Sequence, residues 1–275
     1  MPLHAILAGL TRRLDRAGLL GAPERQVLLG LKPQRRQVPA RADIRGTRDH
    51  DGAHLIVSGV ACRYEMLPDG TRCIIALYFP GEFCGVPLLV PRTVTSTVGA
   101  LSACVVADVP LGTLATLVRA YPRIGLALWW LSVVELSIAQ EWLVNAGRDA
   151  ERRIAHAICE ILARQRASGC DEHEVFSNGI RQVTLADITA VSTVHVNRVL
   201  HALQEGHLIK LAKGVVTVPD FARLAAFAGF HPGYLHLSDG ATAAPSEAGA
   251  PGVSVFGERP DARGFAAVRR GPMRG

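Results

Sequence analysis

Between residues 192 and 203 the side chains sort into two faces at helical spacing. Val196, Val199 and Leu203 recur three and four apart, the spacing of a buried stripe. Val194, Asn197, Arg198 and His201 fall on the other face, with Thr193 and His195 beside them at the start. Asn presents a donor and an acceptor side by side, which matches the exposed edge of adenine. The guanidinium fork of Arg matches guanine or a phosphate. Ser192 is of a type that caps a helix start, its oxygen accepting from a free backbone N–H. Thr184-Leu185-Ala186-Asp187-Ile188 reads as a short helix just before it, so Thr184 stands at the head of a helix–turn–helix pair. Downstream, residues 208–211 and 215–218 read as strands joined through Ala212-Lys213-Gly214, and Lys210 and Lys213 on that wing suit backbone phosphate. The chemistry on offer is recognition of double-stranded DNA; the bland alternative is a polar helix face beside an ordinary hairpin.

Other reactive side chains do not assemble. His156 and Cys159 lie three apart, with Asp171, Glu172 and His173 beyond, but no convergent set of metal ligands can be named, so packing and surface charge explain them better. Ser96, Ser102, His50 and Asp51 form no recognisable nucleophile–base pair, and an enzyme is not expected. Residues 81–85 are a glycine-bounded turn without the lysine of a phosphate loop. The six cysteines (62, 73, 84, 104, 159 and 170) are widely spaced and include no C-x-x-C pair. That pattern reads as reduced thiols in a cytoplasm, with neither an iron–sulfur motif nor a disulfide framework. Cys62, Cys73 and Cys84 could meet on neighbouring strands, where buried thiols are normally inert.

The elements that must position these residues follow from pattern. Residues 1–30 read as helical, with Leu3, Leu7, Leu10 and Leu14 and then Leu28, Leu29 and Leu31 as apolar faces. From residue 36 to 108 short alternating runs take over. Cys62, Tyr64 and Met66 alternate with Arg63 and Glu65, the period of a half-buried strand. Leu67-Pro68-Asp69-Gly70 supplies a turn and residues 73–79 return as the partner strand. Residues 93–98 and 103–109 read as further strands, and this spacing suits a small barrel or jelly roll. Tyr121-Pro122 opens a long helix to about Ala146, closed by Gly147. Ala127, Leu131, Val134 and Ile138 form one seam, and Leu126, Trp130, Val133 and either Leu136 or Ser137 another. A helix apolar on two sides needs two covers, one of them most simply the same helix of a second copy. A second helix is expected over 149–166, with Ile154, Ile158, Ile161 and Leu162 inward.

The chain has 275 residues, a net charge of +6, 49% hydrophobic and 20% charged residues. That excludes a mostly disordered protein and permits nucleic acid as a partner. The apolar run 124–134 is shorter than the ~20 residues that span a bilayer, and the first ten residues lack the pattern of a secretory leader, so no membrane partner is expected. Residues 238–275 are rich in Ala, Gly, Pro and Ser and end on Arg269, Arg270 and Arg274; they read as a tail without a packed core.

Taken in order, several segments resemble the Crp/Fnr family of transcription regulators. They are Gly59-Val60-Ala61-Cys62-Arg63-Tyr64 with Leu67-Pro68-Asp69-Gly70, Phe79-Pro80-Gly81-Glu82-Phe83-Cys84-Gly85, Ala127-Leu128-Trp129-Trp130, Glu141-Trp142-Leu143-Val144-Asn145, Glu151-Arg152-Arg153-Ile154-Ala155-His156 and Val194-His195-Val196-Asn197-Arg198. Gly229-Phe230 and Tyr234-Leu235-His236-Leu237 resemble the end of one branch. The resemblance spans roughly residues 20–237. It implies an α+β protein: a cyclic-nucleotide-binding-like β-roll over 1–114, a dimerisation helix over 115–147 and a winged helix-turn-helix over 148–237. It also implies a homodimer bound to double-stranded DNA, with RNA polymerase as a partner.

Two departures qualify what the resemblance implies. Nucleotide-binding members carry an acidic residue after the G-E-F-x-G turn and an Arg-Ser or Arg-Thr pair about ten residues on. Here those positions fall on Val86 and Val94, followed by Thr95, with Arg92 two residues away on the same strand face. Cyclic AMP is therefore not expected, although Gly81, Glu82, Phe83, Cys84, Gly85, Arg92, Val94 and Thr95 remain a candidate effector pocket. Second, residues 187–195 read about one helical turn short and lack the customary turn glycine, and the glutamate that many members use for base reading becomes Val194. The competing function is an effector-binding or protein-interaction module with a degenerate DNA-binding motif.

Overall fold

The computed structural model describes residues 3–45, 52–84, 96–169, 180–212 and 215–237. Two short helices lead, α1 (Leu3–Leu14) and α2 (Ala22–Leu29). Their leucines Leu7, Leu10, Leu14 and Leu28 are buried together with Ile124, Ala127 and Leu128 further on. Asp15 fixes the corner between them, accepting from the Leu20 N–H at 3.1 Å and from Arg25 at 2.9 Å.

Seven strands follow: β1 (Gln34–Val38), β2 (Asp43–Arg45), β3 (Gly52–Ser58), β4 (Ala61–Met66), β5 (Arg72–Tyr78), β6 (Thr97–Ala100) and β7 (Cys104–Pro110). They form two antiparallel sheets, ordered β1-β7-β3 and β2-β6-β4-β5. Alternation aims Val38, Ile44, Ile56, Ala61, Tyr78, Val98 and Val106 into one core between the sheets, as two packed layers require. The expected hairpin forms: Gly70 takes φ +82°, and Leu67 and Thr71 close the turn through a 2.8 Å backbone bond. Of the strand expected over 93–98, residues 93–95 lie outside the described residues.

After α3 (Leu111–Ala120), α4 runs Pro122–Ala146, the bounds its proline and glycine imply. Its inner face buries Ile124, Ala127, Leu128, Val134 and Ile138. Its outer face exposes Leu126, Trp129, Leu136 and Leu143. One expectation needs correction: Trp130 is not on the outer seam. Its indole turns inward, edge-on to His236 at 4.8 Å, and the neighbouring Trp129 is the exposed one, at 67%. α4 is long and apolar enough to cross a membrane by composition. Its inner face instead lies against the roll and α1.

The C-terminal part comprises α5 (Ala150–Ala167), α6 (Gln182–Thr189), α7 (Thr193–Glu205), β8 (Lys210–Ala212), β9 (Val215–Thr217) and α8 (Phe221–Ala228), ending on a 3-10 turn, Pro232–Leu235. Asp149 and Asp220 cap α5 and α8 through their carboxylates. Ile154, Ile158, Ile161 and Leu162 are buried as expected, against Val196, Leu200, Leu203, Val216 and Leu224. The tail beyond Leu237 lies outside the described residues.

Candidate nucleic-acid interface

α6 begins at Gln182, two residues before Thr184, with Arg181 at the cap position. The start of α6 is therefore two residues earlier than the sequence reading placed it. A three-residue turn, Ala190-Val191-Ser192, then connects to α7, an ordinary length for this motif. Ala190 occupies the left-handed region at φ +55°, where glycine is customary. The turn still closes, because the N–H groups of Ala190 and Val191 both reach Ala186 O. Ser192 caps α7 as expected, its Oγ accepting from the His195 N–H at 3.2 Å.

The two faces of α7 are as the spacing implies. Val196, Val199, Leu200 and Leu203 are buried. Val194 is 80% exposed, Thr193, Asn197, Arg198 and His201 are exposed, and His195 is half-buried. Arg198 Nη2 lies 2.7 Å from His195 Nδ1, and Asn197 Nδ2 donates to Gln182 Oε1 at 3.4 Å. Thr184 is corrected: it is buried, and its hydroxyl accepts from the Arg181 N–H at 3.2 Å, so it supports the α6 start instead of facing outward. Lys210 is exposed on β8, while Lys213 lies outside the described residues. Gln182, brought beside Asn197 by the early start of α6, was missed; only the correct helix start would have revealed it.

This unit is tied to the roll. Arg72 of β5 pairs with Asp187 of α6 at 2.6 Å. On α5, Arg164 reaches across to Glu82 at 2.7 Å and to Leu77 O at 2.7 Å, with its guanidinium over the Phe79 ring at 4.9 Å. Arg13 of α1 holds the other Glu82 oxygen at 2.6 Å. Burial works against the Glu82 carboxylate, but Arg13 and Arg164 outweigh it and keep its pKa below the usual range. Arg164 also meets Glu160, whose other oxygen accepts from Trp142 of α4 and Tyr234.

A second polar cluster sits where the roll faces α4. Glu135 of α4 accepts from Arg63 at 3.0 Å and from the Tyr78 hydroxyl at 2.9 Å, and the Arg63 guanidinium lies 5.6 Å from the Tyr78 ring centre. These three side chains, with Glu82 and Phe83, line a cavity of about 210 Å³ between β5 and α4.

Two family models match the chain in the order of these parts. One described as a cyclic nucleotide-binding domain covers residues 35–121, and one described as a Crp-like helix-turn-helix domain covers residues 152–227. Together they span more than half of the sequence. The chain belongs to the Crp/Fnr family. Among curated Crp/Fnr regulators it is 28% identical to the transcriptional activator protein FnrL of Cereibacter sphaeroides over 181 residues, 63% of this chain and 71% of that one. It is 26% identical to the nitrogen fixation regulation protein FixK of Bradyrhizobium diazoefficiens over 179 residues, 63% of this chain and 72% of that one. The structure of FixK2 from Bradyrhizobium japonicum shares the fold with a TM-score of 0.64 at 19% identity, covering 71% of this chain and 97% of that one. As a Crp/Fnr protein the chain is a transcription regulator whose helix-turn-helix implies DNA binding.

Within that Crp/Fnr frame the candidate effector residues separate. Gly85, Arg92, Val94 and Thr95 lie outside the described residues. Glu82 and Phe83 border the cavity beside α4, Gly81 lines a different cleft, and Cys84 points into the roll core. The cysteines also separate. Cys62 packs on the α5 side and Cys84 inside the roll, so they do not share a cluster; Cys170 lies outside the described residues. Burial pushes the thiols of Cys62 and Cys159 up to about 12, which leaves them unreactive. No group of three metal-ligating side chains occurs among the described residues.

Proposed function

We propose that this regulator acts in the cytoplasm as a homodimer, joined along α4, and reads a two-fold symmetric DNA site with α7 in the major groove. The observation that carries the reading is the exposed row Val194, Asn197, Arg198 and His201 on a helix whose other face is buried. Asn197 and Arg198 read base edges; Val194 offers only an apolar contact, such as a thymine methyl. Ser192, Thr193, His195 and Lys210 contact backbone phosphates and fix the register, and Lys213, on the same wing by sequence, is of a type that does so too. The dimer reading rests on Leu126, Trp129, Val133 and Leu136, which recur three and four apart on the outer face of α4, with Leu143 seven residues further on. RNA polymerase is the expected further partner, and the role is regulatory, not catalytic.

The regulator is not gated by cyclic AMP. Val86 and Val94 replace the residues that would take the ribose and the cyclic phosphate, and the cavity between β5 and α4 already holds the Arg63–Glu135–Tyr78 cluster. Retention of genomic fragments at several salt concentrations between about 50 and 200 mM tests the reading. Fragment-selective retention with a steep loss on raising salt is expected. Equal weak retention of every fragment would instead favour a module whose DNA-binding motif is degenerate.

A further inference from the structure

A cleft of about 440 Å³ adjoins the α4 cavity, with Arg13 and Arg164 lining both. Its walls come from α1 and the turn after it, Val57 of β3, the Pro80-Gly81 turn, the C-terminal end of α5 and Leu237. Five arginines line it, namely Arg12, Arg13, Arg16, Arg164 and Arg166, and no carboxylate does so among the described residues. Arg164 is 95% buried and Arg13 is largely buried. Glu82 stands behind them and grips both, which presets two guanidiniums at the cleft floor as second-layer partners do in anion sites.

Such arginines have a plainer explanation, because Arg12 and Arg13 end α1 while Arg164 and Arg166 end α5, where cations offset the helix dipole. The magnitudes decide against it as a full account. Glu82 and Glu160 balance Arg13 and Arg164. The two helix ends supply about half a negative charge each, enough for only one of Arg12 and Arg166. Both of these are exposed and have no carboxylate partner among the described residues; Arg166 rests on the Phe221 ring at 4.8 Å. Arg16 adds a fifth guanidinium to the wall.

We propose that this cleft binds a phosphorylated small molecule carrying two or more phosphate charges. Guanidinium forks match phosphate oxygens in pairs, and the volume falls within the ~300–1,000 Å³ of ordinary ligand pockets, well beyond a single inorganic ion. Val57, Pro80 and Leu237 provide an apolar wall for the rest of the ligand. The site is concave and lies on different residues from the α7 face, so its occupant is a small molecule and not the DNA backbone.

Calorimetric titration of the full chain with inorganic pyrophosphate, at constant ionic strength in chloride, tests this. Saturable binding is expected. It should weaken about tenfold or more in an Arg12→Gln/Arg166→Gln double variant, which removes two charge-assisted partners of the phosphate oxygens. Those two side chains are exposed, so the variant retains the fold, whereas Arg13 and Arg164 hold it together. Arg198→Gln should leave pyrophosphate binding unchanged while impairing DNA retention, which separates this site from the proposed DNA face. Absence of saturable binding, equal binding in the double variant, or loss in Arg198→Gln would each overturn the proposal.

Discussion

Arg63 of β4 and Glu135 of α4 meet at 3.0 Å beside the cavity between β5 and α4, and Tyr78 donates to the same carboxylate oxygen. Burial first and Glu135 second push the Tyr78 phenol well up, so it stays a donor throughout the physiological range. The cluster fastens the roll to α4.

Replacing Glu135 by Ala therefore strands a guanidinium and a phenol that water reaches poorly. Fully buried pairs lose ~3–5 kcal/mol when one partner goes; with these side chains about a quarter exposed, a loss of ~1–2 kcal/mol is expected. Urea unfolding measures it. A double cycle with Arg63→Ala should show that the two losses do not add, and strict additivity would mean that the contact carries no energy.

His156 makes the stability of the fold sensitive to acid. It is buried beside Glu141 of α4, stacked near Tyr234 and edge-on to Phe230. Burial first and Arg148 second hold its pKa down to about 4, against the opposing pull of Glu141. The unfolded chain takes up this proton below about 6.5 and the folded chain only near 4. The stabilisation is therefore complete above about 6.5 and is lost as pH falls towards 4, by up to ~2–3 kcal/mol. Unfolding midpoints measured across that window should fall less steeply in His156→Phe than in the parent.

Much of this was legible in the sequence because it depends on local rules. The alternation around Cys62 and Tyr64, the glycine of the β4–β5 turn, Pro122 and Gly147 at the ends of α4, and Ser192 before α7 each announce their own geometry. What was not legible depends on distant segments meeting. Nothing near Glu82 in the chain indicates that Arg13, 69 residues earlier, and Arg164, 82 residues later, close on it. Thr184 misled for a related reason. Its hydroxyl caps from the third position of the helix instead of the first, which shifted the start of α6 by two residues and put a buried side chain among the DNA contacts.

Ala190, in the turn between α6 and α7, carries backbone strain. At φ +55° an alanine is held where its Cβ crowds the following carbonyl, at a cost of ~1–2 kcal/mol that glycine avoids. Ala190→Gly should raise the urea midpoint, by less than this cost because glycine is freer in the unfolded chain. A lowered midpoint would mean that the turn is relaxed as it stands.

The outer face of α4 makes the sharpest demand. Leu136 is 57% exposed and Trp129 67% exposed, yet both sit on a helix that is otherwise apolar. Single exposed apolar residues are common, but a row of them at heptad-like spacing suits the seam of the proposed dimer. Leu136→Arg places like charges opposite each other at such a seam and leaves the inner face untouched. Sedimentation should then show single copies with unchanged helix content by circular dichroism. DNA retention should fall too, because one copy meets only half of a symmetric site. If Leu136→Arg still sediments as a pair, α4 is not the seam, and the spacing of the two reading helices must be set elsewhere.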